Sequence, residues 1–239
     1  MSIIKYSNQV LIGAGSYIYR VNHRIMEGDC QFDHGPRPVS FKEFWMDVYP
    51  VTNERFKHFM DQTGYWPQDD TNFLKHWNDS KPPAELLSHP VVWVSHNDAK
   101  AYADWHCCRL PKEEEWQYAA GGPLKLIWPW GEVFHKEHCN GKGSCTTAVD
   151  AFPSGISPLG VMDMCGNTWE WTDSVIDDGK HLFALLRGGC YYKAPHFWHT
   201  DGGPRPTNHH LKFPMMNEGL NRCETIGFRC VREFDDDEE

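Results

Sequence analysis

The segment from residue 190 to 199 concentrates side chains that can support catalysis or metal binding. Cys190 can act as a nucleophile or a soft metal ligand, although a single cysteine is more often a small buried hydrophobe. His196 and His199 stand three residues apart, so a helical turn would let both imidazoles share an iron or copper ion. Pro195 disfavours such a helix, and two histidines without a carboxylate make an incomplete site. The segment is therefore a candidate transition-metal site.

A second candidate feature is the stretch over residues 202–225. Gly203, Pro204 and Pro206 make its beginning a stiff polar loop of the kind that shapes ligand pockets. Arg205 in this loop can hold a carboxylate or phosphate through two parallel hydrogen bonds, and the alternative is an exposed loop without a role. We predict that Arg205 contacts a small-molecule substrate. Other imidazoles that could join a site come from His96, His209 and His210.

The composition is that of a globular protein and excludes several classes of partner. Of 239 residues, 40% are hydrophobic and 23% are charged, which is enough for a substantial core. The net charge of −10 argues against nucleic acid or an anionic membrane as a partner, because both need a basic face. No apolar run is long enough to span a bilayer.

The chain is expected to form one domain over residues 1–234, followed by a solvated acidic tail at 235–239. Its nine cysteines show no paired C-x-x-C spacing, and its beginning does not resemble a signal peptide. Reduced thiols and a cytoplasmic location are therefore expected. The oligomeric state is left open by the sequence.

The elements that must position these residues belong to an α+β chain. Three helices are predicted in the first half, each with a glycine or proline after its end. Thr52 or Asn53 can cap the first and Ser95 the second, and the third has Glu113 and Glu114 at the positive end of its dipole. These helices cover about residues 52–60 before Gly64, residues 95–106 before Pro111, and residues 112–121 before Gly122. From residue 124 onward, Gly, Pro, Asn and Trp predict irregular structure with short extended pieces.

Several sequence strings occur in the order found in one known family. They include Tyr49-Pro50-Val51-Thr52-Asn53, Arg109-Leu110-Pro111, Trp128-Pro129-Trp130-Gly131, Gly166-Asn167-Thr168-Trp169-Glu170-Trp171, Arg187-Gly188-Gly189 and Gly227-Phe228-Arg229-Cys230. The chain thus resembles the formylglycine-generating-enzyme, or sulfatase-modifying-factor, family, which also contains the sulfoxide synthase domain of ergothioneine biosynthesis. The resemblance implies a variant C-type-lectin-like fold of the α+β class with little regular secondary structure.

The chain departs from that family where its chemistry takes place. In the formylglycine-generating enzyme, two cysteines after the Arg-Gly-Gly motif bind copper(I), which soft thiolates suit. An ungapped match puts Lys193 and Trp198 at those two positions, and Cys190 where the family has an active-site serine. A copper bis-thiolate of the family type cannot form there, so the sequence argues against formylglycine generation on a sulfatase.

The resemblance also implies a calcium site. Asp163 and Glu170 match family positions whose side chains bind calcium, and Gly166 and Thr168 match positions that offer carbonyl oxygens. The alternative is that Glu170 pairs with an arginine, either Arg187 or Arg229. The family's other calcium loop is not well reproduced in residues 140–150, so one structural calcium ion is predicted.

Trp169 matches a tryptophan that lines the pocket in the family, and simple core packing is the alternative. With Cys190 and Arg205, Trp169 completes the set of predicted catalytic residues.

The sequence leaves two functions open. The first is a metal- or oxygen-dependent oxidoreductase acting on a small amino-acid-like or heteroaromatic metabolite. The second is a catalytically silent, lectin-like module that binds a ligand or protein, which loss of both copper cysteines favours.

Overall fold

The computed structural model describes residues 8–21, 35–192 and 202–234. The predicted acidic tail at 235–239 lies outside these ranges. Within them the helices are α1 (Asn53–Thr63), α2 (His96–Trp105), α3 (Glu113–Gly121) and the short α4 (Glu218–Asn221). The strands are β1 (Gln9–Ile12), β2 (Gly15–Tyr19), β3 (Arg37–Phe41), β4 (Phe44–Asp47), β5 (Trp169–Asp177), β6 (Leu182–Arg187), β7 (Leu211–Met215), β8 (Ile226–Phe228) and β9 (Val231–Glu233).

The three helices predicted in the first half are confirmed, and so are the predicted caps of the first two. The Thr52 hydroxyl accepts a hydrogen bond from the Arg55 amide at the start of α1, and Gly64 ends that helix with a φ of 68°. Ser95 and Asp98 form a reciprocal capping box at the start of α2. These ends are set by local chemistry, which is why they could be predicted.

The second half contains more regular structure than expected. Strands β7, β6, β5 and β8 form a four-stranded sheet in that order, with β5 and β8 parallel and the other pairs antiparallel. Residues 169–172 at the start of β5 are all buried. The sequence there therefore lacks the alternation of apolar and polar residues that indicates a strand with one solvent-exposed face. Two smaller antiparallel sheets join β1, β4 and β9, and β2 and β3.

The main hydrophobic core lies between helices α1 and α2 and the four-stranded sheet. Phe56 of α1 stacks on Tyr102 of α2 with ring centroids 5.8 Å apart, and Phe228 of β8 packs edge-on against both rings. A second cluster packs Trp116 of α3 against residues from the β1–β4–β9 sheet, among them Met46. Among the described residues, no helix is long and apolar enough to cross a bilayer.

Candidate functional site

The candidate site begins where β6 ends and the chain turns through Gly188 and Gly189. Both glycines have positive φ, 93° and 82°. A Cβ atom on Gly189 would lie only 2.2 Å from the Gly203 carbonyl oxygen, so a side chain there would collide with the main chain. The Cys190 amide then donates to the Gly203 carbonyl at 3.1 Å, and the Arg205 amide donates to the Gly188 carbonyl at 3.2 Å. This close approach brings Arg205 beside Cys190.

Cys190 itself is a buried thiol with 2% exposure. Its sulfur lies 3.2 Å from the Tyr192 carbonyl oxygen, to which the thiol donates. Burial raises the pKa of the Cys190 thiol, and the main-chain hydrogen bonds of Gly203 and Tyr192, with a smaller effect of the Arg205 guanidinium, oppose that rise only in part. Since the thiolate is the nucleophilic form, this environment makes Cys190 a weak nucleophile.

Trp169 starts β5 and belongs to the same apolar cluster as Cys190. Its indole ring lies 6.3 Å from the His209 ring, centroid to centroid, with a tilt of 35°. Trp169 is 3% exposed and His209 is 8% exposed, so this part of the site is packed rather than open. The structure thus brings two of the predicted residues, Cys190 and Arg205, together, and it places Trp169 in the same core cluster as Cys190 and beside His209.

Tyr191 and Cys223 are further residues of this region that the motif comparison does not single out. The Tyr191 amide donates to the Asn167 carbonyl at 3.0 Å, which joins the region to the candidate calcium loop. Cys223 lies near both Cys190 and Tyr191 and shares a hydrogen bond with the Thr225 hydroxyl at 3.2 Å. No spacing in the sequence indicates this proximity, because Cys190 and Cys223 meet only through the fold.

The candidate calcium loop over residues 163–170 is a tight turn. Asp163, Gly166 and Asn167 have φ values of 57°, 76° and 58°. The Asn167 side-chain amide donates to an Asp163 carboxyl oxygen at 2.6 Å. Loss of solvation in this packed loop raises the pKa of Asp163 to about 8, while Asn167 and the Arg229 guanidinium act in the opposite direction.

Glu170, the other acidic residue of this loop, is bound to neighbouring side chains. The Arg229 guanidinium donates to both carboxylate oxygens at 2.7 Å, and the Trp116 indole donates to one of them at 2.8 Å. Of the two arginines named as alternative partners of Glu170, Arg229 is therefore the one that pairs with it. Arg187 pairs instead with Glu113 at 2.9 Å.

The four residues that are predicted to bind calcium suit that ion only in part. Asp163 and the carbonyls of Gly166 and Thr168 are hard oxygen donors, which calcium prefers, whereas Glu170 is already satisfied by three donors. In the part of the chain that the structure describes, no group of three or more His, Cys, Asp or Glu side chains is arranged to hold a metal ion. The calcium assignment to these four residues stays a prediction.

The transition-metal residues His196 and His199 lie outside the described residues, as do Lys193 and Trp198. Another candidate ligand, the His96 imidazole, forms a hydrogen bond within the core instead. The His96 ring pairs with the Thr172 carbonyl at 3.0 Å, and burial lowers the pKa of His96. The iron or copper assignment to His196 and His199 also stays a prediction.

Beneath the glycine turn lies a buried polar network around Glu113. Its carboxylate accepts from Arg187 at 2.9 Å, from Tyr19 at 2.5 Å and pairs with His210 at 2.7 Å. Gln117 accepts a further bond from the same guanidinium at 3.2 Å. Arg187 and His210 hold the pKa of Glu113 at about 2, in spite of its burial. The network anchors the last residue of β6 and therefore the start of the candidate site.

From the sequence, Glu113 is expected only at the positive end of the α3 dipole. Its partners Arg187 and His210 lie 74 and 97 residues away along the chain. No local pattern predicts such pairing. The tertiary structure alone shows that this glutamate supports the candidate site.

Known proteins similar to this chain share its fold and most of its length. A family model described as a sulfatase-modifying factor enzyme 1-like domain matches residues 3–234. The inactive C-alpha-formylglycine-generating enzyme 2 of Mus musculus is 32% identical over 256 residues, covering 85% of this chain and 80% of that protein. The formylglycine-generating enzyme of Mycobacterium tuberculosis is 30% identical, covering 81% of this chain and 88% of that protein.

Another relative, the serine/threonine-protein kinase Pkn1 of Chlamydia trachomatis, is 35% identical over 233 residues. This match covers 86% of the chain but 36% of the kinase, so the chain spans about a third of that relative's length.

Among solved structures, PvdO from Pseudomonas aeruginosa superposes on this chain with a TM-score of 0.67 at 24% sequence identity. The superposition covers 95% of this chain and 94% of the PvdO chain. CarF gives a TM-score of 0.65 at 18% identity, covering 95% of this chain and 98% of its own. These likenesses confirm the predicted fold, including its α+β class. From the match over nearly its whole length, the chain belongs to the family of sulfatase-modifying factor enzyme 1-like domains, which includes the formylglycine-generating enzymes.

Proposed function

We propose that the chain is a metal- or oxygen-dependent oxidoreductase that acts on a small amino-acid-like or heteroaromatic metabolite. The observation that carries the proposal is the proximity of Arg205 to Cys190 just after the end of β6, with Trp169 in the core cluster that contains Cys190. His196 and His199 are the residues proposed to hold iron or copper, the ion that would supply oxygen activation. Arg205, the partly exposed member of the set, would bind the anionic group of the substrate.

The site differs from that of a formylglycine generator. Lys193 and Trp198 occupy the two positions that the family resemblance assigns to copper cysteines, and neither side chain offers a thiolate. Cys190 is buried and hydrogen-bonded to a carbonyl. We therefore expect no conversion of a cysteine peptide to formylglycine, which an aldehyde-reactive probe on a sulfatase-motif peptide would test.

A second function, a silent binding module, is favoured by two observations. The relative from Mus musculus that is 32% identical bears the name of an inactive enzyme. In addition, Trp169 is almost completely buried, as a residue of the core would be. In this case Arg205 would contact a bound ligand without chemistry.

Metal content and oxygen consumption distinguish the two functions. The protein would be reconstituted without oxygen with Fe²⁺ or Cu⁺, desalted, and analysed for bound metal. An oxidoreductase of the proposed kind retains metal, and His196→Ala and His199→Ala each lower the content severalfold. His181→Ala is the matched control, because the His181 side chain is 67% exposed on the β5–β6 turn.

Oxygen uptake with amino acids and heteroaromatic thiols would follow on the metal-loaded protein. Metal content unchanged in both histidine variants would exclude these ligands. A protein that retains no metal and consumes no oxygen, but binds a small ligand through Arg205, would establish the binding module instead.

A further inference from the structure

Large apolar side chains lie exposed along one short segment of the chain that follows α3. Between 40% and 76% of the surface of each is open to solvent in four residues, Leu124, Ile127, Val133 and Phe134. A Cβ atom on Gly155 would lie only 2.2 Å from the His138 carbonyl oxygen, so the neighbouring Ile156, also exposed, adjoins the same segment. These five side chains are called the apolar surface below. Such a concentration of exposed apolar side chains is typical of an interaction site, whereas single ones are common on any protein.

The apolar surface is built around a tight turn whose conformation is fixed by hydrogen bonds. The Trp128 amide donates to the Gly131 carbonyl at 2.8 Å, and the Gly131 amide donates to the Trp128 carbonyl at 3.0 Å. The Trp130 indole donates to the Val133 carbonyl at 2.9 Å, and the Phe134 ring packs against the Trp128 ring with centroids 4.7 Å apart. Because these groups are already ordered, they lose little conformational freedom when a partner binds.

The shape of this turn favours a protein partner over a small molecule. Among the described residues, a Cβ atom on Gly131 would meet nothing within 4 Å, so the turn projects from its surroundings. Small ligands bind in concave pockets that enclose most of their surface. A projecting apolar segment is suited instead to the surface of another protein, where aromatic and apolar side chains form the centre of the interface.

The distribution of charge favours a second copy of this chain as that partner. The chain has a net charge of −10, so two copies repel each other on average. In residues 123–138, however, Lys125 and Lys136 balance Glu132 and Glu137. Two copies can therefore meet at this segment with little repulsion. In a twofold arrangement, each lysine can also approach a glutamate of the other copy, because the same surface faces itself.

We propose that the apolar surface is the interface of a homodimer, in which two copies pack against each other around a twofold axis. The interface would lie beside the loop that carries Arg205. The Thr207 amide donates to the Ile127 carbonyl at 2.8 Å, and the Thr207 hydroxyl donates to the Leu126 carbonyl at 2.6 Å. The second copy would thus border the candidate site. The dimer does not depend on the proposed oxidoreductase activity, so each can be tested without the other.

Sedimentation equilibrium tests the proposal on the full chain. We expect the mass to rise from 27.7 kDa to twice that value as the concentration increases from about 1 to 100 µM, where interfaces of moderate affinity dissociate. Val133→Lys should raise the dissociation constant by about tenfold or more, because each copy would bury an unpaired charge. Leu220→Lys is the matched control. Leu220 lies on α4 and is 58% exposed, against 64% for Val133, and its replacement should leave the dimer intact.

Hydroxyl-radical footprinting locates the interface on the wild-type chain, without any substitution. Trypsin cleavage after Lys125 and Lys136 releases residues 126–136 as one peptide, which contains most of the apolar surface. Residues 58–75 form another peptide, which contains the exposed Trp66 and serves as the control. Oxidation of peptide 126–136 should fall severalfold between the dilute and the concentrated protein, whereas oxidation of peptide 58–75 should stay constant.

Three results would overturn the proposal. The first is a mass of one chain at every concentration. The second is a dimer that Val133→Lys leaves intact or that protects peptide 58–75 in place of peptide 126–136, because the copies would then meet through another face. The third is protection of peptide 126–136 in the dilute monomer, which would show that the chain itself covers the apolar surface. The footprint of the wild-type protein decides the question even where a variant does not fold.

Discussion

Arg229 and Glu170 form a bidentate ion pair in which two guanidinium nitrogens each lie 2.7 Å from a different carboxylate oxygen. Neither side chain is more than 1% exposed. The same guanidinium donates to the main-chain carbonyls of Asp47 and Met162, at 3.2 and 2.9 Å. One arginine thus joins β5, the end of β4 and the start of the candidate calcium loop.

Replacing this arginine should destabilise the fold strongly. Arg229→Met leaves the Glu170 carboxylate buried and without its cation, which costs about 3–5 kcal/mol of unfolding free energy. Urea unfolding measures the loss. Arg37→Met is the control, because the Arg37 side chain is 46% exposed in its pair with Glu114 and the change should cost less than about 1 kcal/mol. Equal losses in the two variants would contradict a special role for the buried pair.

Calcium should stabilise the protein through Asp163. The carboxyl of this residue lies in a packed loop, and the charge of a bound cation would favour its ionised form. We expect calcium to raise the Tm, a chelator to reverse the rise, and Asp163→Asn to abolish both effects. Asp61→Asn, which changes a carboxylate that is 57% exposed on α1, should respond as the wild type does. A calorimetric titration without heat of binding would dismiss the site.

The Glu113 network should make stability depend on pH in the acidic range. The pKa of Glu113 lies at about 2 in the folded protein and near 4.5 in an unfolded chain. Because the folded pKa is the lower one, the ionised carboxylate stabilises the fold fully above pH 4.5. This contribution, on the order of 3 kcal/mol, is lost as the pH falls from 4.5 to 2.

The variant Glu113→Gln isolates that contribution. The difference in unfolding free energy between wild type and variant should be constant from about pH 5 to 7 and should shrink steadily below pH 4.5. Unfolding in urea at a series of pH values gives the curve. A difference that grows towards low pH would reverse the sign and refute the assigned shift.

Replacing two glycines by alanine should distinguish the cost of a left-handed backbone from the cost of a steric collision at the glycine turn. Gly189 and Gly179 share a φ of 82°, but a Cβ atom on Gly189 would meet the Gly203 carbonyl at 2.2 Å, whereas one on Gly179 meets nothing within 4 Å. Gly179→Ala should cost about 1–2 kcal/mol from the left-handed conformation alone. Gly189→Ala should cost clearly more and weaken ligand binding at Arg205. Equal unfolding free energies for the two variants would show that the turn tolerates the collision.

Much of the scaffold could be predicted because its signals are local. Thr52 and Gly64 mark the ends of α1 through bonds to residues within four positions, and the ordered motifs identify the family. The four-stranded sheet could not be predicted, for a physical reason. The first residues of β5 are buried on both faces, and their hydrophobicity has no period to detect.

Residue types in a fixed order were sufficient to predict the family and the α+β class. The partners of the buried charges, in contrast, depend on the assembled fold. Glu170 and Arg187 stand opposite each other in the β5–β6 register, yet Glu170 binds Arg229 and Arg187 binds Glu113. These partners come from the end of β8 and from α3, and their proximity depends on the packing of elements far apart in the chain. Pairing of buried charges is therefore a property of the folded core, because a charge removed from water needs an opposite charge beside it in three dimensions.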